Sequence, residues 1–312
     1  MPYYLGIDGG GTKTICAVGD ESSLLATGIA GPSNIVRVGE AKTSASLQQA
    51  VEQACATAGI TPARISRTCV GGSGAAHPEL AAIVRAFLAE IIPTPIDVVG
   101  DMEIAMEAAF GEGPGVIVIA GTGSIAFGRN QEGATARAGG WGFAIGDEGS
   151  AHWIGRAAVN ALLRSLDRRG DDRHGGSTAQ IPLAFALFKA WGVNSATDLA
   201  RAANSTPPPD FAALFPAVVS SSDAVASQVL TAAGRELADL AAVIIERLFS
   251  SADTVPVAIT GGVFRHSEVV RDIFYNELRR ISPRAQINLQ VVEPVEGALR
   301  MARKAAGKQP GR

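Results

Sequence analysis

The stretch YYLGIDGGGTKTICAVGD, residues 3–20, places three consecutive glycines between two apolar, β-branched segments. The spacing excludes a P-loop, because Thr12 separates Gly11 from Lys13, whereas that motif has its lysine directly after a glycine. It also excludes a dinucleotide-binding fingerprint, since Thr14 stands where the last glycine belongs and the residues that follow favour a strand. The glycines therefore predict a hairpin turn between two strands, and a turn with positive φ is their simplest structural role.

The size and composition of the chain set the broad class. Its 312 residues exceed what one hydrophobic core usually organises, so two domains are expected. The chain is 47% hydrophobic and 18% charged, and its net charge of −3 comes from intermixed acids and bases. Because no basic stripe stands out, neither nucleic acid nor a membrane surface is expected as a partner. No apolar run of about 18 residues predicts a transmembrane helix, and the N-terminus lacks a signal-peptide pattern.

The chain has three cysteines, Cys16, Cys55 and Cys69, which lack any C-x-x-C spacing. Their odd number and scattered positions favour small buried side chains over metal ligands. This usage fits a reducing compartment, and the sequence therefore indicates a cytoplasmic protein.

The order of predicted elements is that of an α/β protein. A third strand at 24–30 completes a meander, and the Gly-Pro-Ser-Asn segment at 31–34 predicts a loop. Strands at 68–71 and 96–99 alternate with helices, which favours parallel strands joined by crossover helices. The predicted helices of this half cover residues 42–58, 79–90 and 102–110.

The second half repeats strands and adds more helices. The segment GVIVIA, 115–120, is typical of a central strand buried on both faces, and another strand is predicted at 125–128. Further strands are predicted at 255–260 and 286–292. Helices are predicted at 150–168, 181–191, 197–203, 223–249, 267–280 and 295–306. Surface loops are predicted at 171–176 and 207–209, and the last residues, GKQPGR, are expected to be frayed.

An internal echo links the two halves. IDGGGT at 7–12 and IAGTGS at 119–124 each join an apolar strand, a glycine turn, a hydroxyl residue and a returning strand. They lie about one domain length apart. A third turn, ITGG at 259–262, leads into a helix. The echo predicts two related domains that face each other across a cleft and grip a polyphosphate from both sides.

The residues around these turns suit phosphate and metal binding. Glycine turns let backbone N–H groups approach phosphate oxygens. The hydroxyls of Thr12, Thr122 and Ser124 can add donors, and Lys13 can add charge. Asp8 can bind Mg²⁺ through water, which suits a metal that keeps its hydration shell. The alternative is a solvated turn acid, but the place of Asp8 between a buried strand and three glycines favours the metal role.

Asp101 ends the segment PIDVVGD, at the place where an open α/β sheet presents ligand-binding residues. A carboxylate there could accept the proton of an attacking hydroxyl in phosphoryl transfer. The same position allows Asp101 to be the N-cap of the helix at 102–110, and the two roles are compatible. Glu103 and Glu107 belong to the body of that helix.

The segment GGWGFAIGDEGSAHWIGRAA, 139–158, combines glycines, two acids and two tryptophans. Asp147 and Glu148 before a helix have a simple explanation in stabilising its N-terminus. Trp141 among glycines is not typical of a plain turn, and a flat apolar ring beside carboxylates is a common way to bind a sugar. His152 is expected to be packed or exposed rather than catalytic, because no nucleophile is spaced to use it.

Taken together, GIDGGGTKT, VVGD, IAGTGSIAFG, GGWGFAIGDEGSAHWIG and ITGGVF resemble the N-acetylglucosamine kinases and the related BadF/BadG/BcrA/BcrD ATPase family. The likeness runs in order from residue 3 to about residue 306. These proteins belong to the actin–hexokinase–Hsp70 superfamily. The resemblance implies an α/β fold of two RNase H-like domains around an ATP cleft, with ATP and Mg²⁺ as cofactors. The N-terminal domain would comprise 1–114 joined by a C-terminal helix at 295–312, and the C-terminal domain 115–294.

The resemblance also implies roles for individual residues. Asp101 would be the catalytic base and Asp8 the metal residue. Ile125 stands where some relatives carry a polar side chain that contacts the sugar. The residues implied in ATP and phosphate binding are Gly9, Gly10, Gly11, Thr12, Lys13, Gly121, Thr122, Gly123, Gly261 and Gly262. Those implied in sugar binding are Asn34, Ser124, Gly140, Trp141, Gly142 and Asp147.

The function implied is an ATP-dependent kinase that phosphorylates the 6-hydroxyl of an amino sugar. N-acetylglucosamine and glucosamine are the favoured substrates, and a muramic-type sugar is a further candidate. Assembly as a homodimer is compatible with this function. The alternative is an ATPase that energises electron transfer to a dehydratase, but such activators hold a shared Fe–S cluster with cysteines, and none follows residue 69 here. A sugar-sensing repressor lacks support, because no helix-turn-helix precedes the first strand. An actin-like polymer would leave Trp141 unexplained.

Overall fold

The computed structural model describes residues 1–72, 74–75, 77–169 and 181–307. The predicted loop at 171–176 and the last five residues lie outside these ranges. The chain divides into two compact units, Met1–Ile117 with Val292–Arg312, and Val118–Val291.

The first unit is built on a five-stranded sheet of order β3-β2-β1-β4-β5. Its strands are β1 (Tyr3–Gly9), β2 (Thr14–Gly19), β3 (Leu24–Ala30), β4 (Ile65–Gly72) and β5 (Ile96–Gly100). Strands β1, β2 and β3 form the predicted antiparallel meander, while β4 and β5 run parallel to β1. The helices are α1 (Ile35–Val38), α2 (Glu40–Thr57), α3 (Pro78–Ala89) and α4 (Asp101–Phe110), of which only α1 was not predicted.

The register of the parallel strands aligns their carboxyl ends. Gly9 at the end of β1 pairs with Gly72 of β4, and Gly72 pairs with Gly100 of β5. The residue before Gly9 is Asp8 and the residue after Gly100 is Asp101. Both acids therefore lie at one edge of the sheet, separated by a single strand.

The C-terminal helix, Pro294–Gly307, packs on the strands of the first unit. A Cβ on Gly6 of β1 would lie 2.7 Å from the carbonyl oxygen of Val295, so the approach of helix to strand requires glycine there. Lys304 Nζ lies 2.8 Å from Glu107 Oε1, and Arg303 Nε donates to the Asp20 carbonyl at 2.7 Å. The end of the chain thus completes the core of the unit that begins it.

The second sheet has the order β10-β9-β6-β7-β8. Its strands are β6 (Gly115–Ala120), β7 (Ser124–Arg129), β8 (Thr135–Gly139), β9 (Val255–Thr260) and β10 (Ala285–Val291). Read from β8, three strands consecutive in sequence are followed by two that return later, which is the strand order of the first sheet. The echo between the two glycine turns is therefore a repeat of architecture, with β6 central as predicted.

Strand β8 was not predicted, because Thr-Ala-Arg-Ala-Gly offers little β-branched or aromatic side chain. Its antiparallel pairing with β7 makes it a strand. The predicted helices of this half are confirmed within two residues. Between residues 204 and 223 two helical segments were missed, the 3₁₀ helix Phe211–Leu214 and the short helix Phe215–Val219. The helices are α5 (Ala151–Arg169), α6 (Pro182–Trp191), α7 (Ala196–Ala203), α8 (Phe215–Val219), α9 (Ala224–Leu248), α10 (Gly262–His266) and α11 (Glu268–Ile281).

Across the described ranges, no single helix combines the length and apolarity needed to cross a membrane, and only the pair Phe211–Val219 and Ala224–Leu248, bent by 114°, meets those criteria jointly. All three cysteines are buried free thiols, as the sequence predicted.

Candidate active site

The first glycine turn connects β1 to β2 and is closed by a hydrogen bond from Gly10 N to the Lys13 carbonyl, 3.0 Å long. The expectation that these glycines supply positive φ is wrong, because the positive-φ residues in the described part of the chain do not include Gly9, Gly10 or Gly11. Close approach explains at least one of them. A Cβ on Gly9 would lie 2.9 Å from Ser33 Oγ.

The loop at 31–34 is fastened to this turn by buried hydroxyls. Thr14 Oγ1 donates to the Gly31 carbonyl and lies 2.7 Å from Ser33 Oγ, while Ser33 N donates to the Gly10 carbonyl at 3.1 Å. Sequence reasoning did not single out Thr14 or Ser33, although a hydroxyl residue in an otherwise apolar strand was the available signal. The two residues hold the loop that carries Asn34 against the glycine turn.

Asn34 itself is the N-cap of α1, because its Oδ1 accepts a hydrogen bond from Arg37 N at 3.3 Å. This bond uses the amide oxygen. A ligand hydroxyl oxygen is an acceptor, so Asn34 would bind it through its Nδ2 group, which is a donor.

Asp8 and Asp101 interact electrostatically. Desolvation and the nearby Asp101 carboxylate raise the pKa of Asp8 to about 7, and Lys13 opposes the rise. Asp8 lies in β1 itself, so it is not a solvated turn acid. Gly100 occupies the N-cap position of α4 and Asp101 is its first helical residue, so the predicted N-cap role of Asp101 is wrong.

A third acid acts on Asp8. Glu293, directly before the C-terminal helix, also raises the pKa of Asp8. Sequence reasoning missed it because it follows Asp8 by most of the chain length. Packing of the C-terminal helix on β1 brings this acid to the edge of the sheet.

The donor set suits Mg²⁺. Carboxylate oxygens that repel one another without a cation are hard ligands, and Mg²⁺ usually takes only one or two of them while keeping its water. Within the described ranges, no group of three or more His, Cys, Asp or Glu side chains is arranged to hold an ion by itself. A hydrated ion held by Asp8 and by ligand phosphates fits this arrangement better than a full protein cage.

The second glycine turn, between β6 and β7, is tied to the start of α5. Gly121 N donates to the Gly123 carbonyl at 2.9 Å. Ala151 N donates to the Gly121 carbonyl at 2.9 Å and His152 N to the Thr122 carbonyl at 3.3 Å. Among the described residues, a Cβ built on Gly121 meets no atom within 4 Å, so there is open space beside this turn.

Asp147 joins the second glycine turn to the Gly-Trp-Gly loop. Its carboxylate accepts hydrogen bonds from the backbone N–H groups of Ser124 and Gly142. A Cβ on Gly123 would lie 2.9 Å from Asp147 Oδ2, so the carboxylate can lie this close to the turn only because residue 123 is glycine. Burial nevertheless raises the pKa of Asp147 above its ordinary value. The backbone of Asp147 has φ of 61°, a left-handed conformation held by the surrounding contacts.

Ser124 is buried, and its hydroxyl donates to the Glu148 carbonyl at 2.6 Å. With that proton engaged, the hydroxyl can serve a ligand as an acceptor. Its own carbonyl accepts from Gly140 N at 3.0 Å, which fixes the start of the Gly-Trp-Gly loop.

Trp141 is 68% exposed and stands on a loop whose backbone is fixed at both flanking glycines. The Arg137 guanidinium carbon lies 5.2 Å from the centre of the Trp141 ring. His152 is buried, as expected of a packed residue, with its ring 5.0 Å from that of Phe143 and 5.3 Å from that of Phe211.

The third turn follows β9, which neighbours β6 in the sheet. Gly261 has φ of 104° and is the N-cap of α10, and a Cβ there would overlap the backbone of Ala120. Gly262 opens the helix, and among the described residues a Cβ on it meets no atom within 4 Å.

The predicted site residues thus form two groups, each inside one unit. In the first unit, the turn at 9–13, Asn34, Asp8 and Asp101 lie at one sheet edge. In the second unit, hydrogen bonds connect the turn at 121–124 to the Gly-Trp-Gly loop and to Asp147. Gly261 packs closely against Ala120, the residue just before that turn.

Residues 5–302 match the BadF/BadG/BcrA/BcrD ATPase family. The chain belongs to this family. Because the match spans nearly all of both units, the predicted family resemblance is confirmed.

Two named kinases are similar to this chain over nearly their whole length. An N-acetylmuramic acid/N-acetylglucosamine kinase of Clostridium acetobutylicum is 32% identical over 310 residues, which cover 97% of this chain and 99% of the relative. An N-acetyl-D-glucosamine kinase of Dictyostelium discoideum is 26% identical over 317 residues, and the match covers 96% of this chain and 97% of the relative.

The fold has a similar solved structure. A Chromobacterium violaceum protein provisionally named an N-acetylglucosamine kinase superposes with a TM-score of 0.74 at 27% identity, covering 97% of this chain and 99% of that one. With the repeated strand order, this confirms the predicted α/β fold of two RNase H-like domains of the actin–hexokinase–Hsp70 type.

Proposed function

We propose that this protein is an ATP-dependent kinase that phosphorylates the 6-hydroxyl of an amino sugar, with N-acetylglucosamine as the first substrate to test. The observation that carries the proposal is the pairing of Asp8 and Asp101 at one sheet edge beside a glycine turn. The two relatives that match over nearly their whole length, both N-acetylglucosamine kinases, support the amino-sugar class.

In the reaction, the O6 oxygen of the sugar forms a bond to the γ-phosphorus while the bond from that phosphorus to the bridging oxygen of ADP breaks. Asp101 accepts the proton that leaves O6. The glycine turns at 9–13 and 121–124 hold phosphate oxygens through backbone N–H groups, and Lys13 adds positive charge. Gly261 and Gly262 form the turn on the adenosine side.

Mg²⁺, when bound, neutralises charge on the β- and γ-phosphates. Asp8 would hold it through water, which also removes the unfavourable repulsion between Asp8 and Asp101. On the sugar side, Asn34 and Asp147 address hydroxyl groups, Trp141 supplies an apolar face, and Gly140, Gly142 and Ser124 shape the loop around it.

We also propose that the enzyme works in the cytoplasm, because its three thiols are free and buried and so suit a reducing compartment.

The test is release of ADP by the purified protein with Mg²⁺-ATP and a panel of glucose, glucosamine, N-acetylglucosamine and N-acetylmuramic acid. Turnover that depends on an amino sugar supports the proposal. Equal ATP turnover with and without every sugar would contradict it and favour an activator ATPase. Preference for glucose over all amino sugars would support a sugar kinase but contradict an amino sugar as its substrate.

A further inference from the structure

The exposed pair Arg137 and Trp141 is not accounted for by phosphoryl transfer. Arg137 lies on β8 opposite Phe127 of β7, and its side chain points to solvent beside the Gly-Trp-Gly loop. Its guanidinium carbon is 5.2 Å from the centre of the Trp141 ring. A cation over an aromatic face is attracted by the ring, and this attraction holds a long, otherwise flexible side chain in place.

The charge on Arg137 is not neutralised within the described part of the chain, where its guanidinium has no carboxylate within 4 Å. A second guanidinium adds to the positive charge. Arg247 Nη1, from α9, donates to the Arg137 carbonyl at 3.1 Å. The loop thus carries a positive charge beside its exposed aromatic ring.

A positive charge beside the exposed ring would distinguish amino sugars by the charge they carry. A guanidinium that packs against an aromatic ring keeps N–H donors in a planar fork, which matches a carboxylate through two parallel hydrogen bonds. A neutral N-acetylated sugar would gain little from it. A free amino sugar carries an ammonium group, which the guanidinium would repel.

We propose that Arg137 is a specificity-determining residue that pairs with a carboxylate carried by the sugar, so that the preferred substrates are N-acylated amino sugars with an acidic ether substituent, the muramic type. The inference rests on the proposed function, because it takes Trp141 to lie in the sugar site. The order of preference is then the carboxylate-bearing sugar first, its neutral N-acetyl analogue second and the free amino sugar last.

The test compares kcat/KM of wild type, Arg137→Gln and Arg137→Lys for N-acetylmuramic acid, N-acetylglucosamine and glucosamine. A hydrogen bond to a charged group is worth enough to predict a loss of roughly 10–100-fold for the acid in Arg137→Gln. For N-acetylglucosamine a change below about threefold is expected, and glucosamine should improve. Arg137→Lys should recover part of the loss, because it keeps the charge without the fork.

Arg201→Gln is the matched control, since Arg201 is an exposed arginine of the same unit that pairs with Asp198. It makes the same change in net charge and should leave the ratio between the two N-acetylated sugars unchanged. Equal losses on both N-acetylated sugars in Arg137→Gln would show that Arg137 only supports Trp141, and would overturn the inference.

The two proposals fail in different ways. Wild type that uses N-acetylglucosamine well but N-acetylmuramic acid poorly overturns the specificity inference alone. Wild type without sugar-dependent ADP release overturns the proposed function, and the inference with it.

Discussion

The carboxylate of Asp147 accepts a hydrogen bond from the backbone N–H of Ser124, and so fastens a residue expected to contact the sugar to the second glycine turn. The same carboxylate accepts from Gly142 N, in the loop that presents Trp141. A change in Asp147 should therefore be felt on both sides of the reaction, in sugar recognition and in the shape of a phosphate-binding turn.

Asp147→Ala should raise KM for the sugar and also weaken binding of ATP. Loss of hydrogen bonds to a charged acceptor costs about 1.5–3 kcal/mol, or roughly 10–150-fold in KM. Asp147→Asn keeps one acceptor oxygen and should lie between wild type and Asp147→Ala. Calorimetry with each ligand separately measures both effects. Unaltered ATP affinity in Asp147→Ala would show that the turn keeps its shape without the carboxylate.

Asp101→Asn should lose most of kcat while the protein stays folded and keeps an ATP affinity near that of wild type. The base is removed, but the N-cap of α4 is Gly100, and an amide is nearly isosteric with the carboxylate. Loss of a general base typically lowers kcat by roughly 10²–10⁴-fold.

Glu79→Gln is the control for this variant, because Glu79 is also an acid in the first turn of a helix of the same unit. It should keep nearly normal kcat. Near-normal turnover by Asp101→Asn would remove Asp101 from the catalytic role.

The raised pKa of Asp8 predicts that the ligand-free protein loses stability as the pH rises. Its pKa is about 7 in the folded state and 3.8 for the unperturbed group, so the folded state holds a proton that the unfolded chain releases between about pH 4 and 7. The resulting stabilisation is complete below about pH 4 and is lost as the pH rises through 7.

Asp8→Asn removes this dependence, so its melting temperature relative to wild type should increase from pH 5 to pH 8 in buffer with EDTA. For a domain of about 150–250 residues, the melting temperature shifts by roughly 2–4 °C for each kcal/mol of stability. Asp101→Asn should reduce the effect, since the Asp101 carboxylate contributes to the raised pKa of Asp8. A difference that is constant with pH would contradict the raised pKa.

Gly10→Val should weaken ATP binding far more than sugar binding. A Cβ on Gly10 would lie 3.0 Å from the Lys13 carbonyl oxygen, so a branched side chain must disturb the turn that holds the phosphates. Gly10→Ala should show the same pattern to a smaller degree. Equal losses for both ligands, measured by calorimetry, would indicate general misfolding instead.

The sequence by itself determined the elements and the repeat. Apolar β-branched runs and glycine punctuation are local signals, so the strands at 24–30 and 255–260 and the turns at 9–11 and 121–123 could be placed from them. Strand β8 and helix α1 escaped prediction because pairing and capping partners, rather than local propensity, stabilise them.

Only the tertiary structure decided which polar groups meet. The alignment of Gly9, Gly72 and Gly100 across three strands brings Asp8 to the same edge as Asp101, and packing of the C-terminal helix adds Glu293. Likewise, the contact of Asp147 with Ser124 N and the packing of Arg137 over Trp141 depend on how separate loops fold back on one sheet. A pKa or a charge pairing arises from distances across strands and loops, and spacing along the chain does not contain those distances.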